Sequence, residues 1–151
     1  MNVAESVVVA AKRYALSPEL LAAQVLVESS GDPNAFRYEP AFFKTYIKGN
    51  PNAKAARYGP LAACSYGPLQ IMLETAVELG FTGRPEDLFV PEIGTEFGAK
   101  YLSSLLLWAA GDYTRAWCAY NGGKGAAMKP PYPNQSYADK VLAMKGKALT
   151  T

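Results

Sequence analysis

At 151 residues, half of them hydrophobic and 19% charged, with a net charge of +2, the chain is sized for one domain with a real core and is far from a disordered composition. It contains no histidine, which removes Ser-His-Asp and Cys-His nucleophile systems and His-bearing metal sites together. Any catalysis must run on carboxylates, tyrosine, lysine or cysteine, and a mild, scattered positive charge argues against a nucleic-acid partner.

Val3 to Tyr14 reads as a first amphipathic helix, with Lys12 and Arg13 after its apolar run rather than before it. That order is wrong for a secretory signal, and no apolar run approaches the ~20 residues that span a bilayer. A soluble chain without an export signal is expected. Ser17-Pro18 is a helix start, Ser as N-cap and Pro at the first helical position, and the helix runs to about Ser30 before Gly31-Asp32-Pro33 ends it.

From Asn34 to Tyr66 the periodicity is lost among aromatic residues, prolines and glycines, with a short helix at Ala41 to Ile47; so long an irregular stretch in a compact domain is usually functional. Leu69 to Leu79 returns to helix, Gly83-Arg84-Pro85 turns, and Pro91 opens a long helix that Gly111 ends. Asp112 caps a helix through Tyr120, Lys124 to Gln135 is a proline-rich loop, and Ser136 begins a final helix through Met144. With no alternating strand-like runs, the reading is a mainly α single domain over residues 1–151. Cys64 and Cys118 lack paired-ligand spacing, so no metal or cofactor is expected; they are either two partly buried thiols or a disulfide.

Glu28 stands out. It ends the run Leu20 to Val27, and helical spacing puts Leu21, Gln24, Val25 and Glu28 on one face. Burial and the negative end of the helix both favour its protonated form, which is what a general acid needs near neutral pH. The plain alternative is a helix-end carboxylate pointing to water.

Two further segments bear on that choice. Ser65-Tyr66-Gly67-Pro68-Leu69-Gln70-Ile71-Met72 reads as a glycine turn into a helix, where Gln70 either meets a ligand or caps locally. Ala119-Tyr120-Asn121-Gly122-Gly123 ends a helix with a phenol, which either holds the acid's rotamer or is an ordinary core tyrosine.

Glu28-Ser29, Gly67 to Met72 and Ala119 to Gly123, in this order and spacing, with Asn34-Ala35 and Pro91 to Gly94 between them, resemble the soluble-lytic-transglycosylase domains related to goose-type lysozymes. The likeness runs from Leu20 to Tyr137-Ala138-Asp139-Lys140-Val141. Arg37-Tyr38-Glu39-Pro40 and Asn134-Gln135-Ser136-Tyr137 further resemble a subgroup common in phages and prophages.

The resemblance implies a lysozyme-like fold with a peptidoglycan groove, cleavage of the glycan strand, and a monomer delivered to the wall as a phage lysis enzyme or virion part. Carried over, Glu28 is acid and then base, Tyr120 positions it, and Ser29 supports acid or substrate. Gly67, Leu69, Gln70 and Met72 line the groove, Asn121 meets an acetamido group, and Glu39 and Tyr137 join the substrate-binding set. Pro68 departs from the family's usual Leu or Val, and Phe36 to Cys64 is longer than in the shortest members, giving a lid or an extra sugar-binding wall.

An inverting hydrolase needs a second carboxylate ~6.5 to 9.5 Å from the acid. Goose-type lysozymes are expected to carry Asp where this chain has Met72, which favours the transglycosylase, whose substrate supplies its own C6 hydroxyl. Asp32, Glu39 and Glu74 are the carboxylates that folding could bring across the groove, Glu39 foremost. A peptidoglycan-binding module without catalysis is the competing class.

Overall fold

The computed structural model describes residues 1–149. Helix α1 (Val3–Arg13) starts where Asn2 Oδ1 accepts the Glu5 N–H at 2.8 Å, and its last turn carries Lys12 and Arg13, the sign the helix C-terminus favours. Helix α2 (Pro18–Ser29) opens as the sequence predicts, with Ser17 Oγ accepting the Leu20 N–H at 3.2 Å and Pro18 in its first turn. It ends on Ser30 in the left-handed conformation, φ 54°. Helices α5 (Pro91–Trp108), α6 (Tyr113–Gly122) and α7 (Gln135–Ala143) complete a helical half in which α1 and α6 lie against α5, and α7 lies against α2 and α6. Leu21, Val25, Leu102, Leu105, Trp117 and Val141 are at most 1% exposed in its core; fully burying each aliphatic side chain among them contributes about 1.5 to 3 kcal/mol.

The other half adds a small sheet to the mainly α fold, built partly from the stretch the sequence leaves irregular. Strands β1 (Phe36–Tyr38), β2 (Cys64–Tyr66) and β3 (Ile71–Met72) form an antiparallel sheet in the order β1-β2-β3. The pairs are Phe36 with Tyr66, Arg37 with Ser65, Tyr38 with Cys64, Ser65 with Met72 and Tyr66 with Ile71. Paired residues share a face, so Phe36, Tyr38, Cys64, Tyr66 and Ile71 lie on one side and Arg37, Ser65 and Met72 on the other. Cys64, Tyr66 and Ile71 on the first side belong to a second core with Leu73, Phe81 and Leu88, against which Met72 also packs; Phe36 and Tyr38 remain exposed, and Tyr101 packs against both cores.

Between β1 and β2, the expected helix at Ala41 to Ile47 divides into α3 (Pro40–Phe42) and a π-helical turn, Phe43–Ile47, followed by a 3₁₀ segment at Ala56–Ala63. The helix expected from Leu69 begins only with α4 (Leu73–Glu78), because residues 67–70 turn β2 back into β3. That turn needs Gly67, at φ 77°, where a Cβ would stand 2.7 Å from the Leu88 carbonyl oxygen. Gln70 is also left-handed, φ 50°, and is held there as its Nε2 donates to the Ala35 and Gly67 carbonyls, each at 3.0 Å. The expected loop from Lys124 to Gln135 contains a 3₁₀ turn at Lys124–Ala127. Cys64 and Cys118 are free and buried, one in each core, which removes the disulfide alternative.

Candidate active site

Glu28 sits in the last turn of α2, next to Ser29, whose hydroxyl ties that turn to the Pro68 carbonyl between β2 and β3. Leu21, Gln24 and Val25 on its face are fully buried, and Glu28 itself is partly buried. Its Oε2 accepts a 2.7 Å hydrogen bond from the Tyr137 hydroxyl. Burial pushes the carboxyl from 4.5 up to about 7; the Tyr137 hydrogen bond and the Arg37 charge pull it down, and the Glu39 charge adds to the rise. Near neutral pH it therefore populates both protonation states, as a group that first gives and then takes a proton must. The solvated helix-end alternative is excluded by that burial.

The contact expected of Tyr120 is made by Tyr137 instead. Tyr120 donates to the Leu69 carbonyl at 2.6 Å and stacks at 4.9 Å, tilted, on Tyr101. It pins the hairpin turn to α6 and stands close enough for the Glu28 charge to help raise its pKa, after burial. Tyr137, 8% exposed, is held well above the usual phenol range by burial and then by Glu28, so it stays a neutral donor. That exposure also removes it from the set of substrate-facing side chains. The reason lies in the fold: α7 packs against α2, a neighbour more than a hundred residues away in sequence, and no local pattern reports such packing.

The remaining expected residues divide in the same way. Ser29 Oγ lies 2.8 Å from the Pro68 carbonyl and 3.2 Å from the Val25 carbonyl, and it accepts the Gly31 N–H at 3.2 Å. It fastens the end of α2 to the hairpin turn, so its hydroxyl supports the acid's helix rather than a ligand. Leu69 is fully buried and turned into the core, against Gly98, whose missing side chain leaves it room, since a Cβ there would lie 2.6 Å from it. Its side chain therefore does not line a groove. Gly67 is buried in the turn, and Gln70 is partly buried and committed to two backbone carbonyls. Met72, on the same sheet side as Arg37, accepts a 3.1 Å hydrogen bond from Ser65 Oγ at its sulfur. Asn121 is exposed, and its Oδ1 accepts from Asn134 Nδ2 at 3.0 Å.

Of the carboxylates expected across the groove, Glu74 is 5% exposed and accepts the Lys54 and Ala55 N–H groups at 2.9 and 2.7 Å. It holds a loop and is not free to activate water. Asp32 Oδ1 accepts the Asn34 N–H at 2.8 Å within its own turn. Glu39 pairs with Arg37 at 3.1 Å and is the carboxylate whose charge reaches Glu28. Of the aromatic residues expected to form a wall over Phe36 to Cys64, Phe36 packs on Tyr66 and Phe89 and Tyr38 on Phe43, and both stay exposed, at 51% and 42%, while the charges of Arg37 and Glu39 reach the acid. In the sequence Arg37 stands out only within the Arg37 to Pro40 motif; its alternation with Phe36 and Tyr38 on a strand is the available signal. Among the described residues no cluster of His, Cys, Asp and Glu is arranged to hold a metal ion, and no helix is long and apolar enough to cross a membrane.

A solved structure of an inactive mutant of the lytic transglycosylase Slt from Pseudomonas aeruginosa superposes with a TM-score of 0.70 at 21% identity. The match covers 93% of this chain and 23% of that one, so the chain spans about a quarter of that protein's length and shares the fold of one portion of it. The model of the transglycosylase SLT domain matches residues 5–142, nearly the whole chain. The chain belongs to the transglycosylase SLT domain family.

Proposed function

We propose that this protein cleaves the β-1,4 bond between N-acetylmuramic acid and N-acetylglucosamine in peptidoglycan, as a lytic transglycosylase with Glu28 as its one acid and base. The observation that carries the reading is the burial of Glu28 beside the Tyr137 hydroxyl, which leaves its carboxyl at about 7, while Glu74 and Asp32 are both taken by backbone N–H groups. Protonated Glu28 gives its proton to the glycosidic oxygen, the bond to the muramic-acid C1 breaks, and positive charge develops on that ring. Glu28, now ionised and steadied by the Tyr137 hydroxyl, takes the proton of the C6 hydroxyl as that oxygen attacks C1. The product is a 1,6-anhydro ring, the proton count is unchanged, and no water enters.

The Glu28→Gln variant is expected to release no soluble fragments from purified peptidoglycan while keeping its fold, and retention of most of the activity would refute the assignment. Mass spectrometry of the wild-type digest reads the chemistry, because anhydro ends are lighter by one water than the reducing ends a hydrolase leaves. A second reading, an inverting hydrolase, is favoured by one observation: the Glu39 charge reaches Glu28. On that reading Glu39→Gln loses activity and wild type leaves reducing ends; on the first, Glu39→Gln keeps its anhydro products. Binding to insoluble peptidoglycan without release of fragments would mark a non-catalytic module. The phage or prophage setting, with delivery to the wall as a monomeric lysis enzyme or virion part, rests on the likeness carried by Arg37 to Pro40 and Asn134 to Tyr137.

A further inference from the structure

Behind Tyr137 lies a polar side chain that no step of the reaction touches. Gln24 is fully buried on α2, one helical turn before Glu28. Its Nε2 donates to the Tyr137 hydroxyl oxygen at 3.3 Å, and that hydroxyl in turn donates to Glu28 Oε2 at 2.7 Å. The other end of the amide, Oε1, is buried and accepts no hydrogen bond from any described residue. An apolar residue of similar volume at this place would avoid an unpaired buried carbonyl, so the packing alone gives no reason for glutamine.

We propose that Gln24 is a positioning residue for Glu28, acting through Tyr137. A phenol has one proton and can donate it in only one direction. By donating into the Tyr137 oxygen, the Gln24 amide occupies one of its lone pairs and leaves its proton for the Glu28 carboxylate. Hydrogen bonds in such a chain strengthen one another by polarisation, so Gln24 makes Tyr137 a better donor and Glu28 a more stable anion. In keeping with this, the Gln24 contact acts to lower the pKa of Tyr137 and the Tyr137 contact acts to lower that of Glu28. The other groups acting on Glu28 are Arg37 and Glu39 from β1 and the segment after it, and Tyr120 from α6 and Tyr137 from α7 are the phenols that feel its charge. A substitution at Gln24 leaves Arg37, Glu39 and Tyr120 in place and acts on Glu28 through Tyr137.

The test is a ¹³C NMR titration of the Glu28 carboxyl in the wild type, in Gln24→Met, in Tyr137→Phe and in the double variant, with Gln24→Leu as a second apolar variant should the Met form fail to fold. Gln24→Met is expected to raise the Glu28 midpoint by about half a pH unit, and to raise it no further when Tyr137 is already Phe. An unchanged midpoint in Gln24→Met, or an equal rise in the Tyr137→Phe background, overturns the proposal. The inference rests on Glu28 being the acid only in its kinetic consequence, a lower kcat at unchanged KM. The titration needs no substrate, so a failure of the proposed activity and a failure of this relay are read separately.

Discussion

Replacing Glu28 by glutamine is expected to stabilise the folded protein at neutral pH and leave its stability unchanged in acid. The perturbation removes one ionisable group and keeps the shape, and the amide oxygen still accepts from Tyr137. Burial lifts the wild-type carboxyl from 4.5 to about 7, a difference worth roughly 3 kcal/mol between the two protonation states. Because the folded pKa is the raised one, the native state holds its proton more tightly than the unfolded chain does. The stability this confers is fully present below about pH 4.5 and is lost as the pH rises through about 7. Glutamine has nothing to lose. The advantage of Glu28→Gln should therefore grow from near zero at about pH 4 to roughly 3 kcal/mol at about pH 8, or roughly 6 to 12 °C in Tm for a domain of this size. Denaturant unfolding of both proteins across that range measures it. Glu78, also pushed up to about 7 by burial and by Glu74, titrates in both proteins and cancels in the difference. Parallel stability curves would show that Glu28 is solvated in the folded state and refute the reasoning.

Tyr137→Phe, which deletes the donor to Glu28, should carry the Glu28 midpoint further above 7, move the alkaline limb of the pH–activity profile upward and lower kcat about tenfold. Tyr120→Phe should leave the pH profile in place and cost about 1 kcal/mol in denaturant unfolding, since its hydroxyl serves the Leu69 carbonyl; the reverse pattern would restore Tyr120 as the partner of the acid. Gly67→Ala forces a Cβ to within 2.7 Å of the Leu88 carbonyl at φ 77° and should cost at least about 2 kcal/mol, so a neutral thermal melt would contradict the turn. Glu74→Ala strands the Lys54 and Ala55 N–H groups, with a loss of about 2 kcal/mol and faster amide exchange through residues 53–56 as the expected readout.

Much of the helical half was legible from local chemistry. Ser17-Pro18 and Asp112 announce helix starts because a side-chain oxygen three residues from an unpaired N–H satisfies it wherever the helix lies. The face shared by Leu21, Gln24, Val25 and Glu28 follows from helical spacing alone. The sheet was not legible: strands of three, three and two residues are too short to show alternation, and a short apolar run such as Ile71 to Leu73 suits either period. Within the site, the acid was visible as an anomaly of polarity, whereas the identity of its partner was not, because Tyr120 and Tyr137 both end or begin helical segments with a phenol.

The sequence by itself determined that a carboxylate would end an apolar helix, that histidine chemistry was absent and that a glycine turn with an amide would stand near a second helix end. Those are properties of neighbours within a few residues. Only the tertiary structure decided that Tyr137 rather than Tyr120 holds Glu28, that Leu69 and Ser29 brace the turn, that Glu74 is taken by backbone N–H groups, and that the charges of Arg37 and Glu39 come within reach of the acid. Each of those depends on how α7 and the sheet pack against the end of α2, and such long-range packing is set by the summed burial of many side chains rather than by any local pattern.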